Sequence, residues 1–227
     1  MIFDKTSKEI ILFGGMVSGY GFQQDIWQFN SNVSTWDDIT KTPTKGIGRI
    51  QYYRAMTYDE KNQITILFSS RIYEEGATWT YDARSDEWKN MHPMVEAHPQ
   101  EGFSMAYDSD TGYSLLFGGI YNNNSGDRFL NETWTYNFPQ NIWVKKSPLN
   151  SPPPRELSSI VYDNANGVFI LFGGSNRFDT AMNDTWIYNI TTDTWTQMFP
   201  KNSPPGRCWY SMTYDDTKHC ALLYGGT

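Results

Sequence analysis

Little in this 227-residue chain suits metal or thiol chemistry: it holds two cysteines, Cys208 and Cys220, and three histidines, His92, His98 and His219. The cysteines fall on successive strands of one expected hairpin. Folding those strands about the "DDTK" turn sets Cys220 opposite Thr213, several residues from Cys208, which argues against an intrachain disulfide and leaves cysteine use silent on compartment. Positive charge is also scarce. Eighteen Lys and Arg against 25 Asp and Glu give a formal net charge of -7, the wrong sign for a nucleic acid or an anionic membrane surface as partner. No apolar run is long enough to span a bilayer, so membrane insertion is not expected, and no segment reads as a signal peptide. A helical period of useful length is missing as well.

Aromatic side chains at fixed spacing are what the chain has instead. "QDIWQFNSNVSTW", "GATWTYDARSDEW", "NETWTYNFPQNIW" and "NDTWIYNITTDTW" place tryptophan pairs at 27/36, 79/88, 134/143 and 186/195, always nine apart, with the phase advancing by 52, 55 and 52. Glycine pairs after Leu-Phe or Leu-Tyr keep the same phase at Gly14-Gly15, Gly118-Gly119, Gly173-Gly174 and Gly225-Gly226, and Ser69-Ser70 replaces the pair in the second unit. Tyr-Asp steps precede them at Tyr58-Asp59, Tyr107-Asp108, Tyr162-Asp163 and Tyr214-Asp215, with Phe3-Asp4 in the first unit. A repeat of this length calls for a propeller or array.

Within one unit, "SSIVYD", "GVFILFGG", "DTWIYN" and "TWTQMF" are short runs rich in β-branched and aromatic residues, separated by turn-formers. Four such strands make a small antiparallel sheet that is apolar on both faces and must be sandwiched between copies of itself. Radial repetition achieves this, so the fold expected is all-β, a β-propeller of four-stranded blades. The units run approximately over 1–45, 46–99, 100–151 and 152–204, with a partial fifth at 205–227. Residues 1–15 align without gaps on residues 212–226. The two ends thus supply the same strands, which leads us to expect an incomplete ring and self-association through unpaired blade edges.

Tyr-Asp, then Leu-Phe-Gly-Gly, then Asp-Thr-Trp-x-Tyr, then a second Trp resembles the kelch repeat of kelch-type propellers, the architecture of the galactose-oxidase central domain, over essentially the whole chain. Residues required in every unit do not mark one unique site. Trp27, Trp36, Trp79, Trp88, Trp134, Trp143, Trp186 and Trp195 are therefore read as framework, and the glycine pairs as backbone turns at the end of the second strand.

The resemblance also directs a search for catalytic groups. Copper oxidases similar to galactose oxidase need two His and two Tyr ligands with a Tyr-Cys cross-link, and the three histidines here do not supply that set. The Glu-x3-Asp-x3-His pattern of specifier proteins and the Asp-box of sialidase propellers are absent. "DSDTG" (Asp108 to Gly112) reads as a hairpin turn in preference to a calcium loop, and "HPMVEAH" (His92 to His98, with Glu96) as a loop in preference to a metal site. No catalytic residue, metal or cofactor is assigned.

What does not repeat are the loops after the glycine pairs and the crossings between units, which strand order places on one face. They carry Tyr20, Phe22, Arg71, Tyr73, Tyr121, Arg128, Phe129, Arg177, Phe178 and Trp209. Varied loops on a rigid frame are where binding resides. Arg155 and Arg207 each lie eight residues before the Asp that ends the inner strand, Gln51 and Gln100 take that phase in the second and third units, and Arg49 and Arg54 flank Gln51. These side chains are expected at the mouth of the central channel, where arginine suits an acidic side chain or an acidic sugar. Pairing of each Arg with a neighbouring blade, through Glu101 or Glu156, is the competing expectation. The chain reads as a binding module for a protein or glycan; the alternative is part of a propeller enzyme whose catalytic residues lie elsewhere. Sequons at Asn32, Asn123, Asn131, Asn183 and Asn189 suggest an exported glycoprotein, although the repeat itself favours Asn-x-Thr at 131 and 183.

Overall fold

The computed structural model describes residues 1–17, 21–40, 53–70, 76–98, 101–123, 126–176 and 181–227. Its described residues form strands and turns without a helix. The first sheet holds β1 (Ile2–Asp4), β2 (Glu9–Val17), β3 (Gly21–Asn30) and β4 (Thr35–Asp38). The second holds β5 (Tyr53–Asp59), β6 (Ile64–Ser70), β7 (Ala77–Asp82) and β8 (Glu87–Asn90). In the third, β9 (Ser104–Tyr107) and β10 (Ser114–Phe117) are followed by an inserted hairpin, β11 (Ile120–Asn123) and β12 (Gly126–Phe129), before β13 (Thr133–Asn137) and β14 (Ile142–Lys145) complete the sheet. The fourth holds β15 (Ser159–Asp163), β16 (Val168–Phe172), β17 (Thr185–Asn189) and β18 (Thr194–Met198), and the fifth only β19 (Tyr210–Asp215) and β20 (Cys220–Gly225). All pairings are antiparallel between consecutive strands of each sheet, as a kelch-type propeller requires.

Each repeated residue type has a traceable local cause. The Asp that ends an inner strand turns its carboxylate back on the following N–H groups: Asp163 Oδ1 accepts from Ala165 and Asn166, Asp108 Oδ1 from Asp110 and Thr111, and Asp215 Oδ1 from Thr217 and Lys218. "DSDTG" is accordingly a hairpin turn. The same capped turn is tighter at the fifth sheet than the sequence suggests, so that Cys220 pairs with Asp215 and Thr213 pairs with Leu222. The Tyr beside that Asp reaches the other way. Tyr107 Oη donates to Asp59 Oδ1 at 2.6 Å and Tyr214 Oη to Asp163 Oδ1 at 2.5 Å, each linking a sheet to its predecessor.

The tryptophans join sheets in the same direction. Trp143 Nε1 donates to Thr78 Oγ1 at 2.8 Å and Trp195 Nε1 to Thr133 Oγ1 at 3.0 Å, both buried, and both acceptors lie on the third strand of the preceding sheet. Trp88 has no such partner for its buried Nε1, because the matching position on β3 is Ile26. Trp36, in the first sheet, is 44% exposed and forms no part of the core, unlike Trp143 and Trp195. Apolar clusters fill the spaces between the first and second, second and third, and third and fourth sheets.

The glycine pairs adopt left-handed φ, for example +71° at Gly118 and +96° at Gly119, and a Cβ on Gly118 would lie 2.7 Å from the Arg155 carbonyl. Ser69 and Ser70 do not turn: β6 runs straight through them, paired to Arg54 and Tyr53.

Candidate functional site

The inner strands β1, β5, β9, β15 and β19 stand side by side around a central channel. At the mouth on the hairpin side a 260 Å³ cavity is lined by Phe3, Lys5, Tyr58, Glu60 and Asp216 among others. Its one cation faces two carboxylates, with Lys5 Nζ 2.6 Å from Glu60 and 4.0 Å from Asp216. The other mouth, on the side of the glycine pairs and crossings, holds a larger cavity of 560 Å³ lined by Arg54, Phe103, Leu157, Ser158, Trp209 and Tyr210, with Gly102, Ser211, Tyr224 and Gly225.

Three of these lining residues share a backbone state. Gly102, Leu157 and Trp209 have φ of +66°, +54° and +57° and sit at one phase of the repeat, so consecutive crossings present the same left-handed corner with side chains of increasing size. Such a φ is unfavourable for Leu and Trp and is held only where the surroundings fix it. Trp209 consequently stands into the cavity mouth, 66% exposed. Beside it, Ser158 is buried, its Oγ closed off from solvent and without a hydrogen-bond partner.

Arg54 supplies the charge. It projects from β5 against Gly14, its guanidinium 5.0 Å from the Phe13 ring centroid, and its hydrogen bonds are long ones to the carbonyls of Gln23 (3.4 Å) and Gly15 (3.5 Å). Burial lowers its pKa, partly offset by Asp25, and the group stays cationic at any physiological pH. Among the described residues no carboxylate forms an ion pair with it.

The other expected site residues are placed differently. Arg155 is fully buried inside the fourth sheet, where Nη1 and Nη2 grip Asp184 at 2.6 and 2.7 Å and Nη1 also bonds the Gly173 carbonyl. Its partner is thus neither Glu101 nor Glu156. Arg207 lies near the cavity, bonded to the carbonyls of Pro205 and Gly225. Tyr121 pairs with Arg128 on the β11–β12 hairpin, outside the cavity lining. Arg49, Gln51, Tyr73 and Gln100 lie outside the described residues. In the His92–His98 segment, Glu96 is bound to Thr78 at 2.7 Å and His98 packs edge-on to Trp134. Of the sequon residues, Asn32, Asn131 and Asn183 are exposed, Asn189 caps its own turn, and the side chain of Asn123 lies outside the description.

Sequence reasoning did not find Phe103, Leu157, Ser158, Ser211 or Tyr224. The signal available was phase: the residues one and two units before Trp209 are Leu157 and Gly102.

A family described as the KLHDC2/KLHL20/DRC7 kelch-repeats domain matches residues 5–226. Kelch domain-containing protein 1 of Mus musculus is 26% identical over 96% of this chain, which spans 59% of that relative's length. Its Homo sapiens counterpart is 27% identical over 65% of this chain and 35% of its own. Mei4-dependent protein 6 of Schizosaccharomyces pombe is 21% identical across 100% of this chain and 37% of its own. With repeat phase, sheet topology and family match in agreement, the chain belongs to the KLHDC2/KLHL20/DRC7 family of kelch-repeat domains.

Proposed function

We propose that this domain is a protein-interaction module whose recognition site is the 560 Å³ cavity at the crossing-side mouth of the channel, and that it takes an acidic or carboxylate-bearing segment of its partner. The observation that supports this reading is the Arg54 guanidinium, largely desolvated and without an ion pair among the described residues, in one cavity with the exposed Trp209. A carboxylate there would gain a charge-assisted hydrogen bond from Arg54, and an adjoining apolar group would cover the indole. The varied crossings and the rigid sheets behind them fit a binding role. An array carrying random peptides and acidic oligosaccharides, probed with wild type and Arg54→Gln, tests this. Retained peptides should be enriched in carboxylates and lose at least tenfold in affinity on Arg54→Gln, with the melting temperature unchanged. Retention that ignores both the carboxylate and Arg54, or that favours the sugars, sinks the reading.

A further inference from the structure

The mouth of the channel on the hairpin side is built from two phases of the repeat that differ in chemistry. The residue after each turn aspartate forms the rim: Lys5, Glu60, Ser109, Asn164 and Asp216 all stand in the wall of the 260 Å³ cavity. Three residues before the same aspartates, Met56, Met105, Ile160 and Met212 line that cavity as well. Behind a polar rim there is thus an apolar lining made mostly of thioethers, which adapt to an aliphatic chain.

The charge at this mouth has one sign in excess. The turns at 4–8, 59–63, 108–112, 163–167 and 215–219 carry eight Asp and Glu against four Lys, which draws cations toward the rim. Most polar groups here are already engaged. Asp59 and Asp163 accept from Tyr107 and Tyr214, Tyr162 donates to Asp110, and Lys61 Nζ donates to the Asp110 carbonyl. Glu60 and Asp216 are different, since they share the single cation of Lys5, and the three side chains are 35%, 53% and 49% exposed. Ion pairs this exposed hold weakly, so Lys5 yields to a competing cation. Deeper in, Thr57 lines the cavity at 7% exposure, and its hydroxyl has no hydrogen-bond partner among the described residues. A buried hydroxyl left in that state marks a place for an atom from outside the chain.

We infer that the hairpin-side mouth takes one long basic side chain, lysine or arginine, from a partner protein. Its stem lies along Met56, Met105 and Met212, and its charged head sits between Glu60 and Asp216 in the place that Lys5 holds. Side chains of this type bury an aliphatic stem and keep the cation at a wet rim, the order of surfaces found here. The size agrees: 260 Å³ falls below the roughly 300 Å³ at which pockets for drug-sized ligands begin, enough for one side chain. This site lies at the opposite mouth from Arg54, prefers the opposite charge and does not depend on the carboxylate reading of the larger cavity.

The probe is the peptide acetyl-Gly-Ser-Lys-Ser-Gly-amide, titrated into the 227-residue protein with carbon-13 in its methionine methyl groups and followed by nuclear magnetic resonance. The methyl signals of Met56, Met105 and Met212 should move saturably. Affinity should fall about fivefold or more when norleucine replaces the peptide's lysine, which keeps the stem and deletes the charge. It should fall by a similar factor when the protein carries Glu60→Gln with Asp216→Asn, a pair that keeps size and acceptor oxygens and should leave the melting temperature in place. Lys5→Gln, which removes the internal competitor, should tighten binding. Absence of saturable shifts at these methionines overturns the proposal, as does equal binding of the norleucine peptide or equal binding to the double variant. Weaker binding to Lys5→Gln than to wild type also overturns it. Spermidine that displaces the peptide at a tenth of the peptide's concentration would assign the cavity to a free polyamine and overturn the partner-protein reading.

Discussion

At the scale of single residues, the repeated tryptophans carry two jobs that depend on different atoms. The ring fills space, as where Tyr188 and Trp195 lie 4.9 Å apart between their centroids, and Nε1 reaches across to a threonine of the preceding sheet. Removing only the acceptor separates the two. Thr133→Val keeps the shape of a side chain that is 1% exposed but leaves Trp195 Nε1 buried without a partner, which costs about 1 to 3 kcal/mol. Chemical denaturation should show that loss with an unchanged dependence on denaturant; a loss well below 1 kcal/mol would mean that water or another acceptor reaches the indole. The framework reading of the tryptophans rested on recurrence alone, and recurrence could not show that Trp36 is half exposed. That depends on which sheet follows which, and the first sheet has no described sheet on its Trp36 side.

At the scale of elements, the crossings are shaped by charges brought together from distant parts of the sequence. Glu156 lies in the crossing into β15, buried, and burial pushes its carboxyl up to about 7, with Glu101 and Asp127 of the neighbouring unit adding to the effect. Its folded-state value is above the ordinary one of 4.5. The associated stability is therefore full below pH 4.5 and is lost as pH rises through about 7. The melting temperature should fall between pH 5 and pH 8, and Glu156→Gln should reduce that fall by raising the value at pH 8. A pH profile identical to wild type would show that the carboxyl is solvated.

The four-stranded sheets and the capped hairpins were legible because the units repeat them, but the glycine pair does not end the second strand of the first sheet, where β2 runs on to Val17, and the β11–β12 hairpin belongs to one unit alone among the described residues. The cavity was not, since its walls come from residues about 50 positions apart whose side chains differ: Gly102, Leu157 and Trp209 share only a backbone angle. Arg155 shows the opposite error of scale. Its phase marked it correctly as special, but a side chain eight residues before Asp163 can turn inward as well as toward the channel, and the acid at Asp184 draws it inward. Ser69 and Ser70 likewise kept their place in the repeat while losing the left-handed turn that glycine permits.

At the scale of the whole molecule, the first and fifth sheets of the 227-residue chain carry exposed apolar side chains. The outer face of the fifth sheet leaves Leu222 47% and Tyr224 86% exposed, and the first sheet presents Trp36 on its outer side. Apolar faces of this kind associate. Light scattering on the 227-residue chain should give a mass that rises with concentration, and Leu222→Ser with Tyr224→Ser should suppress the rise. A mass that stays at one chain over the whole range would contradict it.

The tryptophan and tyrosine joints between sheets point one way. A hydroxyl or carboxylate belongs to the earlier sheet and the Trp or Tyr that meets it to the later one, as with Thr133 and Trp195, or Asp59 and Tyr107. The third sheet thus carries both halves, with Trp143 and Tyr107 reaching back to the second sheet while Thr133 and Asp110 accept from Trp195 and Tyr162 of the fourth, like a tile with a tongue and a groove. A gene segment encoding one unit could be duplicated or lost in frame and the surviving neighbours would still meet through matching halves. Changing the number of blades requires no new contact chemistry, whereas reversing a single unit would break both of its joints at once.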